Sequence, residues 1–80
     1  MKMIKLQATE NMNINGNSKH YRINFRPEMV ENINWNYNTV NIHMASGRSH
    51  RLVFKYSDAG CDEARKFAEN LVNDLDNLSE

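Results

Sequence analysis

The hydrophobic residues of this chain recur with two periods, and the change from one to the other happens once, just after Tyr56. Before it they alternate with polar residues, the two-residue repeat of a strand with one buried face. After it they return every three or four residues, as along one side of a helix. A chain patterned in this way lays down strands first and closes with a helix, which is the signature of an α+β domain.

The strands can be placed from their breaks. Starting at Lys2, the residues Ile4, Leu6 and Ala8 share one face, with Met3, Lys5 and Gln7 on the other. Asn15-Gly16 predicts a two-residue type I′ hairpin, because both residues tolerate the positive φ that such a turn needs. That turn would oppose Ile14 with Asn17, Ala8 with Ile23 and Leu6 with Phe25, and Arg26-Pro27 would end the second strand, since proline donates no ladder hydrogen bond. Ile33, Trp35 and Tyr37 alternate with asparagines, and Val40, Ile42 and Met44 follow after a tight connection between Asn36 and Thr39. Ser46-Gly47-Arg48 turns the chain into a fifth strand, Ser49 to Tyr56, with Leu52, Phe54 and Tyr56 inward. A strict two-residue loop there would pair Val40 with Val53 and put the faces out of phase, so a three-residue loop or a bulge pairing Ile42 with Leu52 is expected.

Ala64, Phe67, Ala68, Leu71, Val72, Leu75 and Leu78 form the helical stripe, predicting a helix from about Asp62 to Leu78, with Asp58 or Cys61 as a possible start. The expected fold is therefore a five-stranded antiparallel meander, twisted or curled, with one carboxy-terminal amphipathic helix on its concave face. At 80 residues the chain holds one small domain, residues 1–80.

Catalytic motifs are missing. The sequence contains no GxGxxG, Walker loop, GxSxG or HExxH, and Cys61 is surrounded by Asp58, Asp62 and Glu63, whose charges disfavour a reactive thiolate. His43 and His50 are expected on opposite faces, Glu28 and Glu31 in a solvated connection. The expectation is a protein without enzymatic activity, cofactor or metal. The longest apolar run, Leu52-Val53-Phe54, falls far short of a membrane span, and the charged amino terminus has no apolar signal segment. One cysteine suits a reducing compartment, so the cytoplasm is the expected location, with no membrane partner.

Charge is what remains. Formal net charge is zero, yet residues 1–57 carry an excess of five positive charges and residues 58–80 the same excess of negative ones. Alternation directs Lys5, Arg22, Arg26, His43, Arg51 and Lys55 to the sheet face opposite the helix. Asp62, Glu63, Glu69, Asp74 and Asp76 populate the outer side of the helix. Tyr21, Phe25, Trp35, Tyr37, Phe54 and Tyr56 are all expected inward, which speaks against base stacking on an open sheet. The expected function is a small binding protein with a protein partner. Thirteen asparagines suit an AT-rich genome such as that of many phages, hence a phage or mobile-element accessory factor, an anti-defence inhibitor that occludes a surface of a host protein or nucleoprotein complex. The alternatives are a nucleic-acid-binding module using the basic sheet face, and a homodimeric interaction domain.

Overall fold

The computed structural model describes residues 3–78, with side chains through residue 76, so the expected strand start at Lys2, the side chain of Leu78 and Glu80 lie outside the described residues. Along the chain run β1 (Ile4–Gln7), β2 (Met12–Ile14), β3 (Arg22–Phe25), a single 3-10 turn at Pro27–Met29, β4 (Val30–Asn36), β5 (Thr39–Met44), β6 (Ser49–Phe54) and α1 (Asp58–Leu78). The strands are antiparallel and form two sheets, a ladder of β1 with β3 and a four-stranded sheet in the order β2-β6-β5-β4. The α+β class holds; the five-stranded meander does not.

The departure begins at Thr9. Its hydroxyl accepts the Asn11 N–H at 3.2 Å and its backbone pairs with Met12, a local turn that breaks the expected first strand into β1 and β2. Beyond the break, Met12, Asn13 and Ile14 pair with Phe54, Val53 and Leu52 of β6. The Asn15-Gly16 turn forms with φ of 54° and 81°, and Ile14 exchanges both backbone hydrogen bonds with Asn17. The hairpin ends after that one pair. Lys19 and His20, at φ 55° and 72°, redirect the chain to β1, and the Gln7 amide donates to His20 Nδ1 at 3.0 Å. Leu6 then opposes Ile23, and Ile4 opposes Phe25, two residues away from the expected register. A shift of two preserves every face, so the same apolar residues still point inward.

The β5–β6 connection behaves likewise. Three residues, Ala45 to Gly47, make the loop, with Gly47 at φ 92° and Met44 N–H bonded to the Arg48 carbonyl. The pairs are Val40 with Leu52 and Ile42 with His50, instead of Ile42 with Leu52. Parity is again kept, and Val40, Ile42 and Leu52 are fully buried.

α1 starts at Asp58, one of the two alternative starts and four residues earlier than Asp62, and Ser57 caps it, its hydroxyl accepting the Gly60 N–H at 3.1 Å and its carbonyl the Cys61 N–H at 2.9 Å. Ala64, Ala68 and Leu71 are buried against β4, β5 and β6, and the Phe67 ring meets Phe54 at 5.8 Å between centroids. Val72 lies outside the stripe and is exposed. The helix does not cover the whole sheet. Part of the inner face is met instead by the β1–β3 ladder, where Phe25 stacks on His50 with centroids 5.9 Å apart, and both layers close one core. Among the described residues no helix is long and apolar enough to cross a membrane.

Two substitutions test this packing. Leu71→Ala should cost about 2–5 kcal/mol in urea unfolding, as buried Leu truncations do, while Asn70→Ala on the exposed side should be near neutral. Gly60→Ala would place a methyl group against the Lys55 backbone carbonyl. Its helix-propensity gain of about 1 kcal/mol should be outweighed by overpacking of about 1–3 kcal/mol, giving a lower urea midpoint than wild type.

Candidate interaction surface

The two sheets divide the expected basic face. Lys5 and Arg22 lie on the outward side of the β1–β3 ladder, and Arg26 follows β3. Arg51 and His43 lie on the outer face of the four-stranded sheet, and Lys55 follows β6. All are exposed except His43, which is half-buried. Turning the chain at Thr9 moved β1 and β3 out of the main sheet, so six positions of one parity no longer share one surface.

On α1, Asp62, Glu63, Glu69, Asp74 and Asp76 are exposed. Arg65 lies between two of them, 3.6 Å from Asp62 and 3.2 Å from Glu69, at the i,i+3 and i,i+4 spacings of a helix. This pairing lowers the charge of the amino-terminal half of the acidic side.

Across the outer face of the larger sheet runs a chain of polar contacts. Asn32 donates to Asn34 at 3.5 Å, the Asn34 amide meets His43 Nε2 at 3.1 Å, and His43 Nδ1 meets Ser49 Oγ at 3.0 Å. A neutral imidazole that accepts from Asn34 carries its hydrogen on Nδ1 and presents Ser49 with a donor, not a base. The serine is therefore not activated as a nucleophile by this histidine. His50 is on the opposite face, paired with Ile42, and among the described residues no three His, Cys, Asp or Glu side chains converge as metal ligands.

The aromatic residues depart most from expectation. Phe25 and Phe54 are buried, but Trp35 is 46% exposed, Tyr37 49% and Tyr56 77%, and Tyr21 is exposed as well. The strand β6 ends at Phe54, so Tyr56 has no ladder to hold it inward. Tyr37 occupies the two-residue turn between β4 and β5 at φ 56°, a left-handed conformation that a bulky side chain rarely adopts. Its neighbours fix it there. Trp35 Nε1 donates to the Tyr37 carbonyl at 2.7 Å, and Asn38 joins the turn to β6 through Nδ2 to the Phe54 carbonyl at 2.9 Å and Phe54 N–H to its own carbonyl at 2.8 Å. The Tyr37 ring packs edge-on against Tyr56, centroids 4.9 Å apart. Hydrogen bonding to Cys61 and then to Tyr56, with charge repulsion from both, pushes the Tyr37 hydroxyl up to about 12, so it stays a neutral donor.

Trp35, Tyr37 and Tyr56 thus form an exposed aromatic patch beside the first turns of α1. Alternation correctly gives the side of the strand on which Trp35 stands, but it carries no information about whether a covering element reaches that far. The positive φ of Tyr37 has no composition signal, although its place in a two-residue hairpin turn is itself a hint of exposure. No family model, curated protein or solved structure matches this chain.

His50 gives a measurable pH effect. Burial against Phe25 and the nearby Arg48 charge hold its pKa below the ordinary value of about 6.5, and the Asn15 amide donates to its Nδ1 at 3.2 Å. The fold therefore prefers neutral His50, a contribution present above pH about 6.5 and lost as the pH falls through the lower folded value. Thermal melting points should fall between pH about 7 and about 5, ahead of most carboxylate titration, and His50→Gln should flatten that slope. An unchanged slope in the variant would assign the pH dependence to other groups.

Proposed function

We propose that this chain is a small non-enzymatic binding protein of the cytoplasm that occludes a surface of a host protein or nucleoprotein complex, and that its contact surface is the aromatic patch of Trp35, Tyr37 and Tyr56. The single observation that carries the proposal is the exposure of these three large rings, two of them packed edge-on and the third tied by its indole N–H to the Tyr37 carbonyl, in a chain whose other large apolar side chains are mostly packed. Tyr and Trp supply broad contact area with little side-chain entropy to lose, and they dominate the energetics of protein interfaces. The left-handed backbone at Tyr37 supports the proposal, because strain is retained where surrounding contacts enforce it and often marks a working site.

Exposed rings also suit nucleic-acid bases, and Lys55 adjoins Tyr56 in sequence. The chemistry beside the patch favours a protein. Cys61, whose thiol contributes to the raised Tyr37 pKa, follows Asp58 in the first turn of α1, and the exposed Asp58 carboxylate repels a phosphate backbone. The basic residues and the acidic helix side then act in orientation and encounter rate, as charges at the rim of an interface do.

Capture from the native host, repeated with three paired variants, separates these roles. Trp35→Ala with Tyr56→Ala should weaken partner retention by roughly thirty-fold or more, the equivalent of about 2 kcal/mol for interface anchors. Arg22→Glu with Arg51→Glu, and Glu69→Lys with Asn73→Lys, should change it far less. Full retention by the aromatic pair variant would overturn the proposal. Tight binding to generic duplex or single-stranded nucleic acid at about 200 mM salt, lost on reversing Arg22 and Arg51, would replace it with the nucleic-acid module.

A further inference from the structure

The four-stranded sheet has two rims, and they are unequal. β2, at one end of the order, has three residues, whereas β4, at the other, has seven and is the longest strand among the described residues. A bulge between Val30 and Asn32 leaves Asn32 to Asn36 as the regular segment of β4. That segment, Asn-Ile-Asn-Trp-Asn, contains no charge and no proline, the two devices that usually guard an open edge; the one charged residue of β4, Glu31, falls in the bulge.

Its hydrogen-bonding phase follows from the turn. Asn36 and Thr39 close a two-residue hairpin and exchange their backbone bonds, as do Asn34 with Asn41 and Asn32 with His43 at alternate pairs. The N–H and C=O groups of Ile33 and Trp35 therefore point away from β5, off the rim of the sheet. We infer that this rim pairs with the same rim of a second copy of the chain, β4 antiparallel to β4 about a two-fold axis at Asn34, giving a continuous eight-stranded sheet.

The segment is complementary to itself in this register. Ile33 of each copy lies opposite Trp35 of the other, so the outward backbone groups meet and the two apolar side chains share the inner face. On the outer face Asn34 meets its own copy at the axis and Asn32 meets Asn36, an uncharged ladder of amides in which each side chain can both donate and accept. No like charges are brought into opposition. A symmetric contact of this kind closes after two copies, because each protomer has one such rim. Its shortness makes it a weak, concentration-dependent dimer. The dimer goes beyond the aromatic-patch proposal and shares with it Trp35 alone; Tyr56 belongs only to the patch and Asn34 only to the rim.

Sedimentation equilibrium over about 10 μM to about 1 mM, the range of weak interfaces, should show the mass rising from the 9.4 kDa monomer toward twice that value. Asn34→Lys places two ammonium groups against each other at the axis and should remain monomeric throughout, with circular dichroism and melting close to wild type because Asn34 is exposed. Asn34→Cys in a Cys61→Ser background should oxidise to a disulfide-linked dimer, while Asn41→Cys in the same background, on the same face but in an interior strand, should not. A wild-type mass that stays at one chain up to the highest concentration, or an Asn34→Lys variant that dimerises like wild type, overturns the inference. Tyr56→Ala should leave the dimer intact and Asn34→Lys should leave host-partner capture intact, so loss of either contact is read apart from the other.

Discussion

The antiparallel pairing of β5 with β6 is the interaction on which the remainder depends. It sets Val40 opposite Leu52 and holds both, with Ile42, fully out of water at the middle of the sheet. Each neighbour then docks on that ladder. β2 adds through Met12 and Ile14 to β6, β4 adds through Ile33 and Trp35 to β5, and α1 lies over β4, β5 and β6 with Ala64 and Ala68 facing inward. The small alanines allow the helix axis to come close, and Gly60 does the same where α1 passes the Lys55 carbonyl. Burial of apolar area, not charge, supplies the stabilisation in a domain this small.

Asparagine serves as the joint of the structure. Asn15 donates its N–H to the Arg51 carbonyl at 2.7 Å and accepts the Arg51 N–H on its side-chain oxygen at 2.8 Å, so a turn residue continues the β2–β6 ladder. Asn38 does the equivalent at the other end of β6, its side-chain amide and its own carbonyl both engaged with Phe54. A short amide that imitates a peptide group and tolerates left-handed backbone suits both places. The same side chains on the outer face of β4 are uncharged and can satisfy one another, which makes that face and its rim compatible with a second strand. Abundance of one residue type, which as composition only hints at genome bias, here has local structural uses.

Exposed aromatic rings and an open edge occur together at the β4–β5 end of the sheet. Trp35 belongs to both, standing last but one in β4 with its indole N–H tied to the turn. A protein that hides its phenylalanines and leaves Trp35, Tyr37 and Tyr56 in water has apolar area available for contact while keeping polar atoms for hydrogen bonding. The basic residues, by comparison, are distributed over two sheets, and Arg65 holds part of the acidic helix side in ion pairs, which leaves neither pole as one concentrated field.

Alternation in the amino-acid sequence determined the strand faces, the placement of the Asn15-Gly16 and Gly47 turns, and the existence of a closing helix, because side-chain parity and turn chemistry are local properties. They survived two register errors, Leu6 with Phe25 and Ile42 with Leu52, since each was a displacement of two residues and left parity untouched. Strand partners were not local. A turn at Thr9 hydrogen-bonded within four residues decided that β2 would leave β1 and join β6, and this converted an expected meander into two sheets. Burial of the aromatic residues also lay outside the pattern: parity told which side of β4 Trp35 occupies, but only the tertiary structure decided that β4 and β6 end before Tyr37 and Tyr56 and that the helix and the β1–β3 ladder stop short of all three, because coverage depends on where another element lies in space.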